Sequence, residues 1–382
     1  MRSISILGST GSIGTQALEL VKAYPEEFRI EALCARQNAQ LLFEQVRTFR
    51  PRVAALTGIQ TEVPDDLKRG CEWLFGEEAL EQLARFAPAD DVLVSVSGMV
   101  GLKAVLCARQ AKRRVLLANK EALVAGGALV MNICKVGGQD ATLLPVDSEH
   151  SAVFQCLNAA EGNPFRKIIL TASGGPFRTW PKEKIMAASP QEALRHPNWS
   201  MGSKITIDSA SMFNKALEVI EARWLFDAHP DQIEVLVHPQ SIVHSLVEFE
   251  DHAVLAQLGL PDMKLPILYA MSYPRRLPQS SPPLQLSKVG QLSFESPDRD
   301  RFPAVQLAYD ALRAGGAAAC ILNAANEEAV ALFLQEKIRF GDIYRIVDET
   351  MQCLGVQSAD TLDAVIWADR EARRIARMYS LQ

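Results

Sequence analysis

The chain opens on a short apolar run, SISIL (residues 3–7), followed at once by GSTGSIG (8–14) and then by TQALELVKAYPEEF. In that last stretch Ala17, Leu18, Val21 and Tyr24 fall on one helical face. Strand, glycine-rich turn and helix, in that order, constrain the fold more than any other feature here. They set free backbone N–H groups and a helix N-terminus against a phosphate. The spacing is G-x-x-G-x-x-G rather than the commoner G-x-G-x-x-G, and its place after the first strand gives it a weight that glycines alone lack. The plain alternative is a tight turn without a ligand.

A second apolar strand, RIEALCA (29–35), ends in Arg36-Gln37-Asn38. A carboxylate at that point would hydrogen-bond a ribose 2′-hydroxyl, and none is present. A guanidinium pairs instead with a 2′-phosphate, so NADPH is expected over NADH. Further strands are expected at VAALT (53–57), VLVSVSG (92–98), RVLLANK (114–120) and ATLLPV (141–146), with helical segments such as QLLFEQVRTF and LKAVLCARQA between them. The alternation predicts a doubly wound parallel sheet in an α/β, Rossmann-like domain, whose ligands bind beyond the carboxyl ends of the strands. Gly98, Asn119, Lys120, Asp147 and Glu149 all fall at such ends.

Asp147 and Glu149 belong to VDSEHSAVF (146–154), where a strand hands over to a helix. A capped, charged helix start is one reading of that stretch, and a hard-metal site is the other. Downstream, KIILTASGGPF (167–177) reads as a strand whose end, Ser173-Gly174-Gly175, can present a hydroxyl and N–H groups to an anion or simply turn. Residues 178–203, ending HPNWSMGS, have the composition of a lid, with Trp199 and Met201 over the apolar side of a small substrate and Gly202 as hinge. KITIDSASMFNKALEVIEARWLF (204–226) is expected to form a short strand and then an amphipathic helix, with Ser209, Asn214, Lys215 and Glu218 near one face. Hydroxyl, amide and ammonium suit a phosphate. Asp147, Glu149 and Glu218 make an all-oxygen set suited to Mg²⁺ or Mn²⁺ and not to zinc.

Charge excludes some function classes. Forty basic and 45 acidic side chains leave a net charge of −5, which gives no global reason to expect nucleic acid or an anionic membrane as partner. No uninterrupted apolar run is long enough to span a bilayer. Seven scattered cysteines without a CxxC pair point away from disulfides or structural zinc and towards a reducing, cytoplasmic setting, and no signal peptide is expected.

GSTGSIG, LANKEALV, PVDSEHSAVFQ, TASGGPF, HPNWSMGSKITIDSASMFNKALE, HPQSIVHS and LNAANEEAV, in this order from residue 8 to about residue 330, together resemble the 1-deoxy-D-xylulose 5-phosphate reductoisomerase family. The resemblance implies NADPH- and divalent-metal-dependent rearrangement of a small phosphorylated sugar, 1-deoxy-D-xylulose 5-phosphate, and reduction to 2-C-methyl-D-erythritol 4-phosphate. It implies Asp147, Glu149 and Glu218 as metal ligands. Lys120 and Ser148 would stand at the substrate backbone, and Ser173, His196, Ser209, Asn214 and Lys215 at its phosphate, under a lid carrying Trp199 and Met201. NADPH would be bound by Thr10, Gly11, Ser12, Ile13, Ala35, Arg36, Gln37, Asn38, Asn119, Glu121 and Gly202, and the protein would be a homodimer. Three departures stand out: Ala216 where a glycine is usual, Ser211 for threonine, and ARQN for a glycine-lysine or glycine-serine version.

The domain reading is 1–147 for NADPH, 148–285 for catalysis and dimerisation, 286–300 as a linker, and 301–382 as a helical bundle. Segments 233–239 and 241–250 read as strands of the second domain, and four prolines break up 272–290. Leu362, Val365, Ala368, Ala372, Ile375 and Tyr379 form one stripe of a last helix. Two other functions fit parts of the pattern. An NADPH-dependent sugar or semialdehyde dehydrogenase would not need the carboxylates, and an inactive NADPH sensor would bind the nucleotide without turnover.

Overall fold

The computed structural model describes residues 1–382 apart from 87, 137, 139, 140, 198, 200, 279, 280 and 380–382. The chain divides into two units, each made of three segments. The first comprises Met1–Ala122, Val130–Ser151 and Asp262–Ser281; the second comprises Leu123–Leu129, Ala152–Pro261 and Pro282–Gln382.

In the first unit, strands β1 (Arg2–Leu7), β2 (Phe28–Ala35), β3 (Val53–Leu56), β4 (Glu72–Phe75), β5 (Asp91–Val94), β6 (Arg114–Leu117) and β7 (Leu143–Pro145) form one sheet in the order β4-β3-β2-β1-β5-β6-β7. Every pairing is parallel, with Leu7 opposite Cys34 on one side and Val94 on the other. Strands β3 and β5 are buried on both faces, which is why they read without polar–apolar alternation. Strand order reverses between β1 and β5, and the GSTGSIG turn leaves β1 at that switch point. The doubly wound expectation is thus met. Edge strand β4 was not expected, because Glu72 and the half-buried Trp73, Leu74 and Phe75 carry no clear period.

Helices α1 (Ser12–Ala23) and α2 (Ala39–Phe49) follow β1 and β2. Helix α3 (Glu121–Met131), which follows β6 and is kinked at Gly126, and α4 (Ser148–Ala159), which follows β7, begin in this unit and continue into segments of the second. The unit is completed from far along the chain. Helix Lys264–Ser272 packs against α1, and the Tyr273 carbonyl accepts from Arg2 (2.9 Å) and Arg114 (3.2 Å). Residues 262–281 had been expected in the catalytic domain, and they lie instead with the N-terminal unit.

In the second unit β8 (Phe165–Ala172), β9 (Ile233–Val237), β10 (Val243–Phe249) and β11 (Val254–Leu258) form a sheet in the order β11-β10-β8-β9, parallel only between β8 and β9. Helix α5 (Ser203–Ala210) corrects the expectation of a strand at KITID. Ile205-Thr206-Ile207 has β-branched character, but Thr206, Ile207 and Ala210 are buried with helical spacing, and that burial outweighs propensity. Helix α6 (Phe213–Leu225) starts after Met212, whose φ of 63° breaks the run. Ser209 therefore sits on a different helix from Asn214, Lys215 and Glu218.

Helices α7 (Ala304–Ala314), α8 (Ala318–Leu334), α9 (Asp342–Leu354) and α10 (Leu362–Tyr379) complete this unit. They have no core of their own: Phe333, Phe340 and Ile343 share one apolar cluster with Ile168, Phe177 and Phe213. Phe340 meets Phe177 edge-on with ring centroids 5.2 Å apart. The stripe on α10 is as expected, with Val365, Ala368, Ala372 and Ile375 buried. The expected linker is tied down at Glu295, whose backbone exchanges hydrogen bonds of 2.8 and 2.9 Å with Val237.

Candidate active site

The nucleotide turn is shaped by its glycines. Gly8 has φ +94°, and a Cβ there would lie 2.7 Å from the Ser95 carbonyl oxygen, at the end of β5. A side chain at Gly14 would collide with the Gly8 carbonyl oxygen. Gly11 is the N-cap of α1 and no side chain caps the helix, so the first N–H groups of Ser12 and Ile13 face outward beside Thr10. Buried Ser9 and Gln45 fix the turn to α2: Ser9 Oγ donates to Gln45 Oε1 (2.7 Å), and Gln45 Nε2 donates to the Ser9 carbonyl (2.9 Å). At the end of β2, Ala35 is buried while Arg36, Gln37 and Asn38 are exposed, and Asn38 Oδ1 caps α2 by accepting from Leu41 N–H (3.1 Å).

Asn119 and Glu121 are buried and turned towards each other: Asn119 Nδ2 lies 2.8 Å from Glu121 Oε2 and 2.9 Å from the Val96 carbonyl. Asn119 Oδ1 accepts from Ala122 N–H (3.0 Å) and so caps α3. These contacts brace the loop from which Lys120 projects. Lys120 Nζ meets Asp147 Oδ2 at 3.0 Å, with both side chains largely buried. The backbone carbonyl of Asp147 accepts from Ser151 N–H (2.8 Å), and its Oδ1 accepts from Glu149 N–H (3.2 Å), so Asp147 begins α4. His150, fully buried, donates from Nδ1 to Asp147 Oδ1 (3.1 Å). Ser148 hydrogen-bonds Glu149. Asp147 is thus both the cap of α4 and a largely buried charged group paired with Lys120. By sequence His150 could serve in proton transfer or substrate binding, or simply be structural; its i+3 spacing from Asp147 brings the imidazole to that carboxylate as an orienting partner.

In the second unit, Ser173 Oγ lies 3.1 Å from His196 Nε2 and accepts from Gly175 N–H (3.2 Å). Trp199 N–H donates to His196 Nδ1 (2.9 Å), so the neutral imidazole carries its hydrogen on Nε2 and donates it to Ser173. Both lone pairs of the Ser173 hydroxyl are then used, and its hydrogen is left for a ligand oxygen. Gly175 has φ +66°, and a Cβ there would stand 2.7 Å from the Ser209 carbonyl oxygen, so this turn abuts the end of α5. Ser173 and Gly175 open on a cavity of about 430 Å³ that Arg178 and Arg195 also line. On α6 the Glu218 carboxylate accepts from Asn214 Nδ2 (2.6 Å) and pairs with Lys215, and Lys215 and Glu218 are almost completely buried. Trp199 is half-buried near the His244 ring, and Met201 is half-buried just before Gly202, the N-cap of α5. The neighbouring Asn198 and Ser200 lie outside the described residues.

Burial holds the His196 imidazole below its usual pKa of 6.5. The folded state therefore resists protonation that the unfolded chain accepts. Stability from this group is present above pH 6.5 and is lost as pH falls through the depressed folded value. Urea unfolding across this range is expected to show a decline, of at most about 1.4 kcal/mol per pH unit from this one group, that His196→Gln removes. An unchanged slope in the variant would discard the assignment.

Family models for DXP reductoisomerase match residues 4–127, its 1-deoxy-D-xylulose 5-phosphate reductoisomerase C-terminal domain matches 143–226, and the DXP reductoisomerase C-terminal domain matches 258–375. The 1-deoxy-D-xylulose 5-phosphate reductoisomerase of Gloeobacter violaceus is 50% identical over 382 residues, covering 99% of this chain and 97% of the relative. This chain belongs to the DXP reductoisomerase family. The reductoisomerase of Ralstonia nicotianae is 48% identical, covering 99% and 98% of the two chains. Among solved structures, the reductoisomerase of Zymomonas mobilis in complex with NADPH superposes with a TM-score of 0.90 at 39% identity, covering 100% of this chain and 99% of that one. A DOX-P reductoisomerase in complex with NADPH, fosmidomycin and magnesium matches with the same TM-score and identity, covering 100% and 98%.

Proposed function

We propose that this protein rearranges 1-deoxy-D-xylulose 5-phosphate and reduces the resulting aldehyde with NADPH, giving 2-C-methyl-D-erythritol 4-phosphate for isoprenoid precursor synthesis. The observation that supports it most is the Lys120–Asp147–His150 chain of contacts at the carboxyl ends of β6 and β7 in a dinucleotide-binding sheet. The glycine turn fits a pyrophosphate, because its backbone leaves no room for side chains at Gly8 and Gly14 and the first turn of α1 has no side-chain cap. The donor set assigned to the metal, Asp147, Glu149 and Glu218, is all carboxylate oxygen and fits Mg²⁺ or Mn²⁺.

When bound, the ion polarises adjacent carbonyl and hydroxyl oxygens of the substrate, and NADPH supplies hydride. Lys120 adds positive charge beside the oxygen on which negative charge develops, and Ser148 holds the substrate backbone. Ser173, His196, Ser209, Asn214 and Lys215 take the phosphate, an anchor remote from the reacting carbons that fixes orientation. Trp199 and Met201 cover the apolar side and exclude water from the aldehyde. Thr10 to Ile13 and Ala35 to Asn38 hold the nucleotide, with Asn119 and Glu121 bracing its neighbour loop and Gly202 at the hinge of the lid.

The test is oxidation of NADPH followed by absorbance with 1-deoxy-D-xylulose 5-phosphate, with and without Mg²⁺ or Mn²⁺. Metal-dependent oxidation with formation of the branched polyol phosphate is expected. Metal-independent reduction of an unrearranged sugar would favour a simple dehydrogenase, and NADPH binding without turnover would favour a sensor.

The protein acts as a homodimer in this reading. Strand β11 ends its sheet, and Val254 and Leu255 on it are 48% and 40% exposed, an apolar edge that a second copy would cover. Sedimentation of the wild type at micromolar concentration is expected to give a dimer, and Leu255→Lys is expected to shift it towards monomer; a monomeric wild type would end the idea. The reducing, cytoplasmic setting rests on the odd number and scatter of its seven cysteines, without a CxxC pair. Among the described residues, no helix is long and apolar enough to cross a membrane.

A further inference from the structure

The ARQN turn departs from the commoner family pattern, and the structure around it carries a compensating feature. Thr57 and Gly58 follow β3 and run alongside the end of β2: Thr57 N–H donates to the Ala35 carbonyl (3.0 Å), and Gly58 N–H donates to the Arg36 carbonyl (2.8 Å). A Cβ at Gly58 would stand 2.7 Å from Arg36 Cγ, 3.0 Å from the Arg36 carbonyl oxygen and 3.4 Å from Gln37 Cγ. The methylene stem of Arg36 therefore lies directly over the Gly58 backbone. Gly58 has no left-handed φ, so glycine is not there for its conformation. It is there for room. The Arg36 guanidinium is exposed, and among the described residues no carboxylate pairs with it, unlike Arg47 with Asp66 or Arg114 with Asp91.

We propose that Gly58 is a positioning residue for cofactor selectivity: the groove it leaves seats the Arg36 stem and holds the guanidinium where a nucleotide's 2′-phosphate arrives. The inference rests on the NADPH reading above and extends it to a residue outside every motif of the sequence. An arginine is longer than a lysine and presents a planar fork whose direction matters, so it gains more from a seated stem than a point charge would. With the stem displaced, the fork swings in solvent and the bidentate contact with phosphate pays the entropy of holding it. On this proposal Gly58 acts through the 2′-phosphate contact and leaves the remaining nucleotide contacts to other residues.

The test is direct binding, by calorimetry, of NADPH, NADH, adenosine 2′,5′-bisphosphate and 5′-AMP to the full chain. Gly58→Val is expected to weaken NADPH and the bisphosphate by about tenfold or more, the size of a lost charge-assisted contact, while NADH and AMP change by less than about twofold. Gly58→Ala is expected to fall between, and, adding one methyl at an exposed turn, it serves if the valine variant does not fold. In an Arg36→Ala background the Gly58→Val change is expected to add nothing, because it acts only through that arginine. Equal weakening of all four ligands, no weakening of any, or a further additive loss in the Arg36→Ala background would each overturn the proposal. A wild type that binds AMP as tightly as the bisphosphate would instead defeat the NADPH reading itself, so the two failures are distinguishable.

Discussion

Asp147→Asn is expected to lower metal-dependent turnover by on the order of a thousandfold, the several kcal/mol of charge stabilisation that a catalytic ion supplies. The same variant is expected to need far more Mg²⁺ for half-maximal rate. The substitution is informative because it separates two jobs. Asparagine caps a helix as well as aspartate does, so α4 keeps its start, while loss of the largely buried pair with Lys120 is expected to lower the melting temperature without unfolding the protein. What is lost is a negative charge between Lys120 and His150, at 3.0 and 3.1 Å. Turnover within tenfold of wild type at the same Mg²⁺ concentration would sink the ligand role and leave Asp147 as a cap only. A large loss of rate accompanied by unfolding would instead assign the effect to structure, and urea melts of both proteins make that distinction.

The second large effect is expected at Lys215. Its ion pair with Glu218 is among the most buried in the second unit, with side chains 3% and 1% exposed. Lys215→Met keeps much of the stem volume and removes the cation, so Glu218 loses a charged partner in a place with little water. Breaking a buried pair in this way costs about 3–5 kcal/mol, measurable as a lower urea midpoint at unchanged slope. Lys215→Met combined with Glu218→Gln is expected to recover much of that loss, because no lone buried charge remains. Both variants should hold the substrate phosphate poorly, and the double variant, lacking the Glu218 carboxylate, should also hold the metal poorly, so stability and turnover part company in the double variant. If Lys215→Met unfolds at the wild-type midpoint, the pair has no structural weight and Lys215 is free to serve substrate alone.

Much of this was legible in the residues, for identifiable reasons. Strands β3, β5, β6 and β7 are short, mostly apolar stretches, because a parallel sheet is buried on both faces, and the ends of β6 and β7 therefore located Asn119, Lys120 and Asp147. GSTGSIG was legible because its backbone geometry demands glycine at Gly8 and Gly14. The failures have causes as specific. KITID was taken for a strand because β-branched residues fit a pleat, and tertiary burial made it helical. The break at Met212, which separates Ser209 from Asn214, is a left-handed residue without glycine or asparagine to announce it. Edge strands β4 and β11 are half-exposed, so neither shows the pattern of a buried strand. Gln45 meets the nucleotide turn at Ser9, and Gly58 meets Arg36 at the end of β2, through contacts distant in sequence that no local motif records.

The return of residues 262–281 to the N-terminal unit sets an order of events at the ribosome. All seven strands of the nucleotide sheet are made by Pro145, yet the helix that packs against α1 waits until the whole of Ala152–Pro261 has been synthesised. Throughout that interval α1 lacks the packing of helix Lys264–Ser272 against it. A nascent chain of this protein thus carries an unfinished apolar face for longer than its first domain alone would require, and its N-terminal unit finishes folding only after most of its successor has emerged.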